Sequence, residues 1–257
     1  MVTVPAIYAL LLRRDDFKAL DLSRVRWVGY GGAPIAPALV RALQAAFSSG
    51  RVFNGYGMTE TASLMTSLPH DDALEHADSV GYAVPSVDLA VRPIGEDPMV
   101  GELVARGANA MTGYWGRPDK TVETIVDGWL HTGDIVRVDE AGRVHIIDRI
   151  KDIIIRGGEN ISSIEVEAAL VSAPGVLEAA VLAVPDDVMG EKVGAVLYGG
   201  AEAVDVEAVL AACRVQLADF KVPQYICVFR SPLPRNPSGK LLKDALRKSV
   251  EWGPPLR

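Results

Sequence analysis

Four short stretches of the 257-residue chain combine residue types that could do chemistry. The first is Gly55-Tyr56-Gly57-Met58-Thr59-Glu60. Glycines on either side of a tyrosine let a flat ligand approach the backbone and stack on the ring. Thr59 offers a hydroxyl to a phosphate oxygen, and Glu60 a hard oxygen ligand of the kind Mg²⁺ prefers. The same six residues also suit a tight turn followed by a helix N-terminus, with Thr59 as its cap. The second stretch is Gly128-Trp129-Leu130-His131-Thr132-Gly133-Asp134. One carboxylate there can accept hydrogen bonds from two adjacent hydroxyls, as a ribose diol presents them. An Asp beside Gly in a hairpin more commonly satisfies backbone N–H groups. His131 reads as structural.

The third stretch runs from Asp148-Arg149-Ile150-Lys151-Asp152 through Ile153-Ile154-Ile155 to Arg156-Gly157-Gly158-Glu159-Asn160. A charged pentapeptide between differently patterned regions reads as an interdomain hinge or as a salt-bridged surface hairpin. The glycine pair permits positive φ and close passage of a ligand. The fourth is Leu233-Pro234-Arg235-Asn236-Pro237-Ser238-Gly239-Lys240. Two prolines stiffen this loop and Gly239 permits a sharp turn, so Lys240 can be held pointing into a cleft. A lysine ammonium suits a phosphoryl oxygen or a carboxylate under attack. Taken alone, a surface lysine is more often simply solvated.

The elements that must position these stretches follow from hydrophobic period and punctuation. Pro5 opens a first amphipathic helix over 2–12, and residues 25–30 read as a strand running into Gly31-Gly32-Ala33-Pro34. A helix is expected over 37–47, then a strand over 51–53 ending in a turn at 54–57. That alternation is the rhythm of a parallel α/β sheet, whose ligands collect beyond the carboxyl ends of the strands. From about residue 79 the pattern becomes an antiparallel β region, with strands near 87–91, 101–105, 135–138 and 144–147 and one helix near 118–125. Beyond 148–149 a third style begins. Ser162-Ser163-Ile164-Glu165 is a capping box, followed by strands over 177–184 and 193–198, a helix over 205–217, a strand over 225–229 and a last helix near 241–250. The fold class is therefore α/β and α+β: the end of a large α/β domain over 1–150, β-rich over about 79–150, then an α+β domain over 151–257.

Composition narrows the function. An apolar content of 49% excludes a disordered chain. Acidic side chains outnumber basic ones 33 to 26, which argues against a nucleic-acid binder held by bulk charge. Residues 221–257 run the other way, with Lys221, Arg230, Arg235, Lys240, Lys243, Arg247, Lys248 and Arg257 against Asp244 and Glu251, which suggests a local anion site. Cys213 and Cys227 have no metal-like spacing and indicate neither a disulfide framework nor a zinc site. Their number fits a reducing, cytoplasmic location. The apolar start is too short to span a bilayer, and Arg13 and Arg14 follow it where a secretion signal would have charges ahead.

Together and in this order, the four stretches resemble the adenylate-forming superfamily of acyl-CoA synthetases, firefly luciferases and peptide-synthetase adenylation domains. The similarity runs from about Val25 to Lys248. It includes Gly101-Glu102-Leu103, Gly113-Tyr114-Trp115-Gly116-Arg117-Pro118 and Val184-Pro185-Asp186 with Gly190-Glu191, and it is closest to the fatty-acid-type CoA ligases. The resemblance implies ATP, Mg²⁺ and CoA as reactants and cofactor, with a carboxylic acid as substrate. It implies that Gly31, Gly32, Ala33 and Tyr56 border the adenine, with Gly57 beside the acyl pocket. Thr59 would contact the α-phosphate, Glu60 the Mg²⁺, and Asp134 and Arg149 the ribose hydroxyls. Lys151 would be the hinge of a mobile last domain, Gly158 would line the approach of CoA, and Lys240 would act on the α-phosphate and the substrate carboxylate. The family's upstream Ser/Thr/Gly-rich phosphate loop has no counterpart before Val25. The sequence thus reads as the carboxyl-terminal half of such an enzyme, impaired alone, with a separate amino-terminal half chain as a candidate partner. The rival readings are an adenylation domain that loads a carrier protein and a non-catalytic interaction module.

Overall fold

Proline and glycine placement accounts for much of the first sheet. The computed structural model describes residues 1–33, 35–201, 203–237 and 239–256, so Pro34 and Ser238 of the expected loops lie outside the described residues. The chain divides into two units, Met1–Ile146 and Ile147–Arg257, where the sequence suggested a division at 150/151.

In the first unit, β1 (Val2–Thr3), α1 (Pro5–Arg13), α2 (Asp15–Lys18), β2 (Trp27–Gly31), α3 (Pro37–Ala46), β3 (Arg51–Met58), β4 (Ser63–Leu68) and β5 (Tyr82–Ala83) follow in order. Both α1 and α3 begin on a proline, whose fixed φ and missing N–H cost nothing in a first turn. The sheet order is β1-β2-β3-β4-β5, parallel across β1, β2 and β3 and antiparallel beyond. Alternate residues Val28, Tyr30 and Val52 pack with Tyr8, Val40, Leu43 and Phe47 from the helices into one buried cluster.

Three expectations are corrected here. The apolar start is split, with Val2–Thr3 in a strand and the helix starting at Pro5. The expected turn at residues 54–57 is instead the second half of β3. Its glycines serve close packing: a Cβ on Gly55 would lie 2.6 Å from the Leu64 side chain, and one on Gly57 1.5 Å from the Ser63 carbonyl oxygen. Nor does a helix follow at Thr59. A single 3₁₀ turn, Thr59–Thr61, leads into β4, and its start is bound by the Thr61 hydroxyl, which accepts from the Met58 N–H at 3.3 Å.

A second sheet holds β6 (Val87–Pro93), β7 (Val100–Gly107), α4 (Pro118–Thr124) beside it, β8 (Ile125–Val126), β9 (Trp129–Val138) and β10 (Val144–Arg149). Its order is β10-β9-β7-β6 with β8 on β9, and the division between units falls within β10.

The second unit contains β11 (Ile154–Arg156), β12 (Glu159–Ile161), α5 (Ser163–Ser172), β13 (Glu178–Asp186), β14 (Gly190–Tyr198), α6 (Val206–Gln216), β15 (Tyr225–Phe229) and α7 (Lys243–Ser249). Ser162 caps α5 by accepting from the Glu165 N–H at 3.2 Å, as the capping-box spacing requires. The sheet, ordered β12-β11-β14-β13 with β15 on β14, is covered on both faces. Val181, Val193, Ala195 and Leu197 pack under α5 and α6. Ala180, Leu182 and Val196 pack with Leu246 of α7. Cys213 is buried in the first of these clusters and forms no disulfide.

Candidate active site

In the first unit the strand β3 and the turn within β9 come together. Because β2 and β3 are parallel with Gly31 opposite Gly55, residues 31–33 follow the carboxyl end of β2 on the side of the sheet where β3 continues into Tyr56 and Gly57. The Tyr56 hydroxyl donates to Asp134 Oδ2 at 2.6 Å, across 78 residues of sequence. Asp134 is nearly buried. Its place is set by a local chain of bonds: its N–H donates to the Thr132 hydroxyl at 3.1 Å, and that hydroxyl donates to the Leu103 carbonyl at 2.7 Å. Gly133 takes a φ of +70° and donates its N–H to Glu102 Oε1 at 3.2 Å. The turn that aims Asp134 is therefore built on β7.

His131 has a structural role in this arrangement. Its Nδ1 lies 2.7 Å from Glu102 Oε2 and its Nε2 3.0 Å from an Arg92 guanidinium nitrogen. Thr59 is exposed at the end of β3. Glu60 accepts from the Tyr114 hydroxyl at 2.7 Å, and this bond pushes the Tyr114 phenol above its usual pKa. The Glu60 carbonyl also accepts from the Met111 N–H at 2.7 Å, so the loop before α4 is tied at two points to the residue expected to face Mg²⁺. Among the described residues no cluster of three or more His, Cys, Asp or Glu could hold a metal by itself. An open hollow lined by Trp27, Arg51, Phe53, Ser67, Pro69 and His70 contains none of the expected site residues.

The other expected residues belong to the second unit. Arg149 ends β10, and its backbone N–H donates to Asp148 Oδ1 at 2.7 Å. Lys151 is exposed in a turn, and its ammonium donates to Asp244 at 2.8 Å. Gly157 and Gly158, with φ of +59° and +91°, form the two-residue turn between β11 and β12. A Cβ on Gly158 would meet nothing within 4 Å, so this turn presents open backbone. Around Lys240 the loop closes on itself. The Lys240 N–H donates to Asn236 Oδ1 at 2.8 Å, the Asn236 N–H to the Lys240 carbonyl at 2.9 Å, and Arg235 to the Gly239 carbonyl at 2.9 Å. The lysine side chain is exposed on a fixed backbone.

Comparison with known proteins decides the family. The model described as AMP-binding enzyme matches residues 1–115, and the one described as AMP-binding enzyme C-terminal domain matches residues 165–240. The chain belongs to the AMP-binding enzymes. It is 37% identical over 250 residues to the long-chain-fatty-acid–CoA ligase FadD13 of Mycobacterium tuberculosis, covering 95% of this chain and 49% of that protein. To feruloyl-CoA synthase of an Amycolatopsis species it is 40% identical over 253 residues, covering 95% and 50%. The o-succinylbenzoate CoA synthetase MenE of Bacillus subtilis, solved with its acyl-adenylate intermediate, superimposes with a TM-score of 0.83 at 32% identity, covering 98% of this chain and 51% of that one. The chain spans about half the length of the curated relatives it matches.

Sequence reading missed three contributors. Glu102 and Tyr114 were visible only as family-like filler, and Arg92 carried no signal. Each acts through a partner 29 to 54 residues away, beyond the reach of local spacing.

Proposed function

We propose that this chain is the carboxyl-terminal half of an acyl-CoA synthetase that activates a fatty-acid-type carboxylic acid with ATP and transfers the acyl group to CoA. The observation that carries the reading is the Tyr56–Asp134 hydrogen bond at 2.6 Å, because it joins the two stretches expected to hold adenine and ribose. In the first step a carboxylate oxygen attacks the α-phosphorus of ATP, and the bond to the β-phosphate breaks as pyrophosphate leaves. In the second the CoA sulfur attacks the acyl carbonyl and AMP departs.

Residues 31–33 and Tyr56 border the adenine, with Gly57 beside the acyl pocket. Asp134, oriented by Tyr56, accepts from the ribose diol, and Arg149 is the other residue assigned to the ribose hydroxyls. Thr59 meets the α-phosphate. Glu60 fits Mg²⁺ as a single carboxylate, since that ion commonly takes one or two protein carboxylates and completes its shell with substrate phosphate and water. Bound there, the ion would neutralise phosphate charge. Lys240 stabilises the charge that develops between carboxylate and α-phosphate. Lys151 is the hinge that lets the second unit serve both steps, and the open backbone of Gly158 lines the approach of CoA. The phosphate-gripping half is supplied by a segment or chain outside these residues. Two cysteines without a disulfide are consistent with the cytoplasm. Among the described residues no helix is long and apolar enough to cross a membrane.

The test is ATP–pyrophosphate exchange with short, medium and long acids, using these 257 residues alone and with an amino-terminal half in trans. The chain alone gives no exchange, because the pyrophosphate must be held and oriented as it leaves. The assembly restores it, and Lys240→Ala then lowers the rate by about 100-fold or more. Robust exchange by the lone chain contradicts the division of labour; restored exchange insensitive to Lys240→Ala removes Lys240 from the chemistry.

A further inference from the structure

The helix α7 begins three residues after Lys240 and reaches back to the turn that holds Lys151. Asp244 Oδ2 accepts from the Lys151 ammonium at 2.8 Å, which holds the Asp244 carboxyl below its ordinary pKa. Arg247 binds three acceptors at once. One terminal nitrogen donates to Asp244 Oδ1 at 2.7 Å; the other donates to the Lys151 carbonyl oxygen at 3.1 Å and to the Asp152 carboxylate. Asp152 is only 8% exposed, so this is a largely desolvated contact. Inside the turn, the Asp152 and Ile153 N–H groups both donate to the Arg149 carbonyl, at 2.9 and 3.0 Å. On its opposite side α7 is anchored by Leu246, fully buried against Ala180, Leu182, Val196 and Leu233.

A lone surface ion pair contributes little, because it orders only two flexible side chains. Arg247 differs because one of its acceptors is a main-chain oxygen, so the contact restricts backbone torsions. A planar guanidinium can satisfy a carbonyl and two carboxylates from one fixed position; an ammonium acts as a point charge. With the Lys151 carbonyl held on α7, rotation of the chain here must use the φ and ψ bonds of Lys151 and bonds before them.

We propose that Arg247, with Asp244, is a positioning residue for the adenylation step: it clamps the hinge turn onto the helix that follows Lys240, so that hinge and Lys240 loop move as one rigid body. The inference rests on the roles given to Lys151 and Lys240 above. The clamp fixes the angle at which Lys240 is delivered, without touching substrate.

Hydrogen exchange on the 257-residue chain reads the clamp directly. Losing hydrogen bonds to a charged donor should speed exchange of the Asp152 and Ile153 amides by about tenfold or more in Arg247→Met, and by less in Arg247→Lys. Amides of β13 and β14 should keep their protection. If Arg247→Met also loosens β13 and β14, Asp244→Asn, an exposed change, reads the same turn without disturbing the sheet, with an expected acceleration of about threefold. Unchanged protection of Asp152 and Ile153 in these variants overturns the clamp. In the chain paired with an amino-terminal half, Arg247→Met should lower kcat for pyrophosphate exchange about tenfold and leave KM for ATP within about twofold, with partial rescue by Arg247→Lys. An unchanged kcat, where Lys240→Ala abolishes exchange, overturns the positioning role and leaves the site reading intact. If Lys240→Ala has no effect, the failure lies with that reading, and exchange at the turn still decides the clamp.

Discussion

Replacing Lys243 with Met lowers the stability of the second unit by about 3–5 kcal/mol. The Lys243 ammonium lies 2.6 Å from Glu167 Oε1 and donates to the Ser163 hydroxyl at 2.7 Å. That hydroxyl donates in turn to Asp148 at 3.1 Å, and the Ser163 N–H also binds the Asp148 carboxylate. Burial pushes the Glu167 carboxyl above its ordinary pKa, and Lys243 is the main group opposing that rise. Without the cation a buried carboxylate stands uncompensated, which costs far more than the intact pair contributes. The sign of the pH dependence follows. In the variant Glu167 favours its protonated form when folded, so the deficit is smallest below the ordinary carboxyl range and grows as pH rises through it. Hydrogen exchange of β13 and β14 against denaturant reads this unit separately. Lys243→Met combined with Glu167→Met should recover most of the loss, because a buried pair exchanged for apolar groups is commonly near neutral. A double variant as weak as the single one would contradict this account.

Gly57→Ala is expected to cost the first unit about 3 kcal/mol or more, at the upper end for an inserted methyl. The new Cβ would lie 1.5 Å from the Ser63 oxygen and 2.5 Å from its carbonyl carbon. Both atoms are backbone, so relief requires opening the β3–β4 hairpin where its register already shifts between Tyr56 and Gly57. Tyr56 would then lose its alignment with Asp134. Gly95→Ala is the control, since no atom lies within 4 Å of the added carbon and the backbone angle is ordinary. Thermal unfolding of both variants checks the contrast. Equal midpoints for the two would mean that the close approach at Gly57 relaxes freely.

These two positions show what the sequence could and could not disclose. The glycines at 55 and 57 were legible as special but were read as a turn, since glycine between polar residues usually marks one. In a strand the same residue marks a close approach of another backbone, and only the identity of the neighbour separates the two cases. Here the neighbours are the Leu64 side chain at Gly55 and the Ser63 backbone at Gly57. The N-cap at Ser162 and the prolines opening α1, α3 and α4 were readable because each acts within four residues. The strand Ser63–Leu68 was not read, since its buried positions do not alternate cleanly. Lys243 and Glu167 are 76 positions apart, and Arg247 meets Lys151 across 96. Their partnership exists only after the sheet of the second unit has brought α5, α7 and the hinge turn together. The family-like order of the four stretches carried the functional reading, and local chemistry alone left each of them open to a structural explanation.

On the function proposed above, this chain would hold an acyl-adenylate through Tyr56 and Asp134. The measurement that tests it most directly is calorimetric titration of the 257-residue chain with a non-hydrolysable acyl-sulfamoyl adenosine, for the unaltered protein and for Asp134→Ala. Hydrogen bonds to a charged acceptor contribute about 1.5–3 kcal/mol each, so losing Asp134 should raise Kd by more than about tenfold. The Gly95→Ala protein should bind as the unaltered one does. The same Kd for Asp134→Ala, or no binding by the unaltered chain, would contradict the claim.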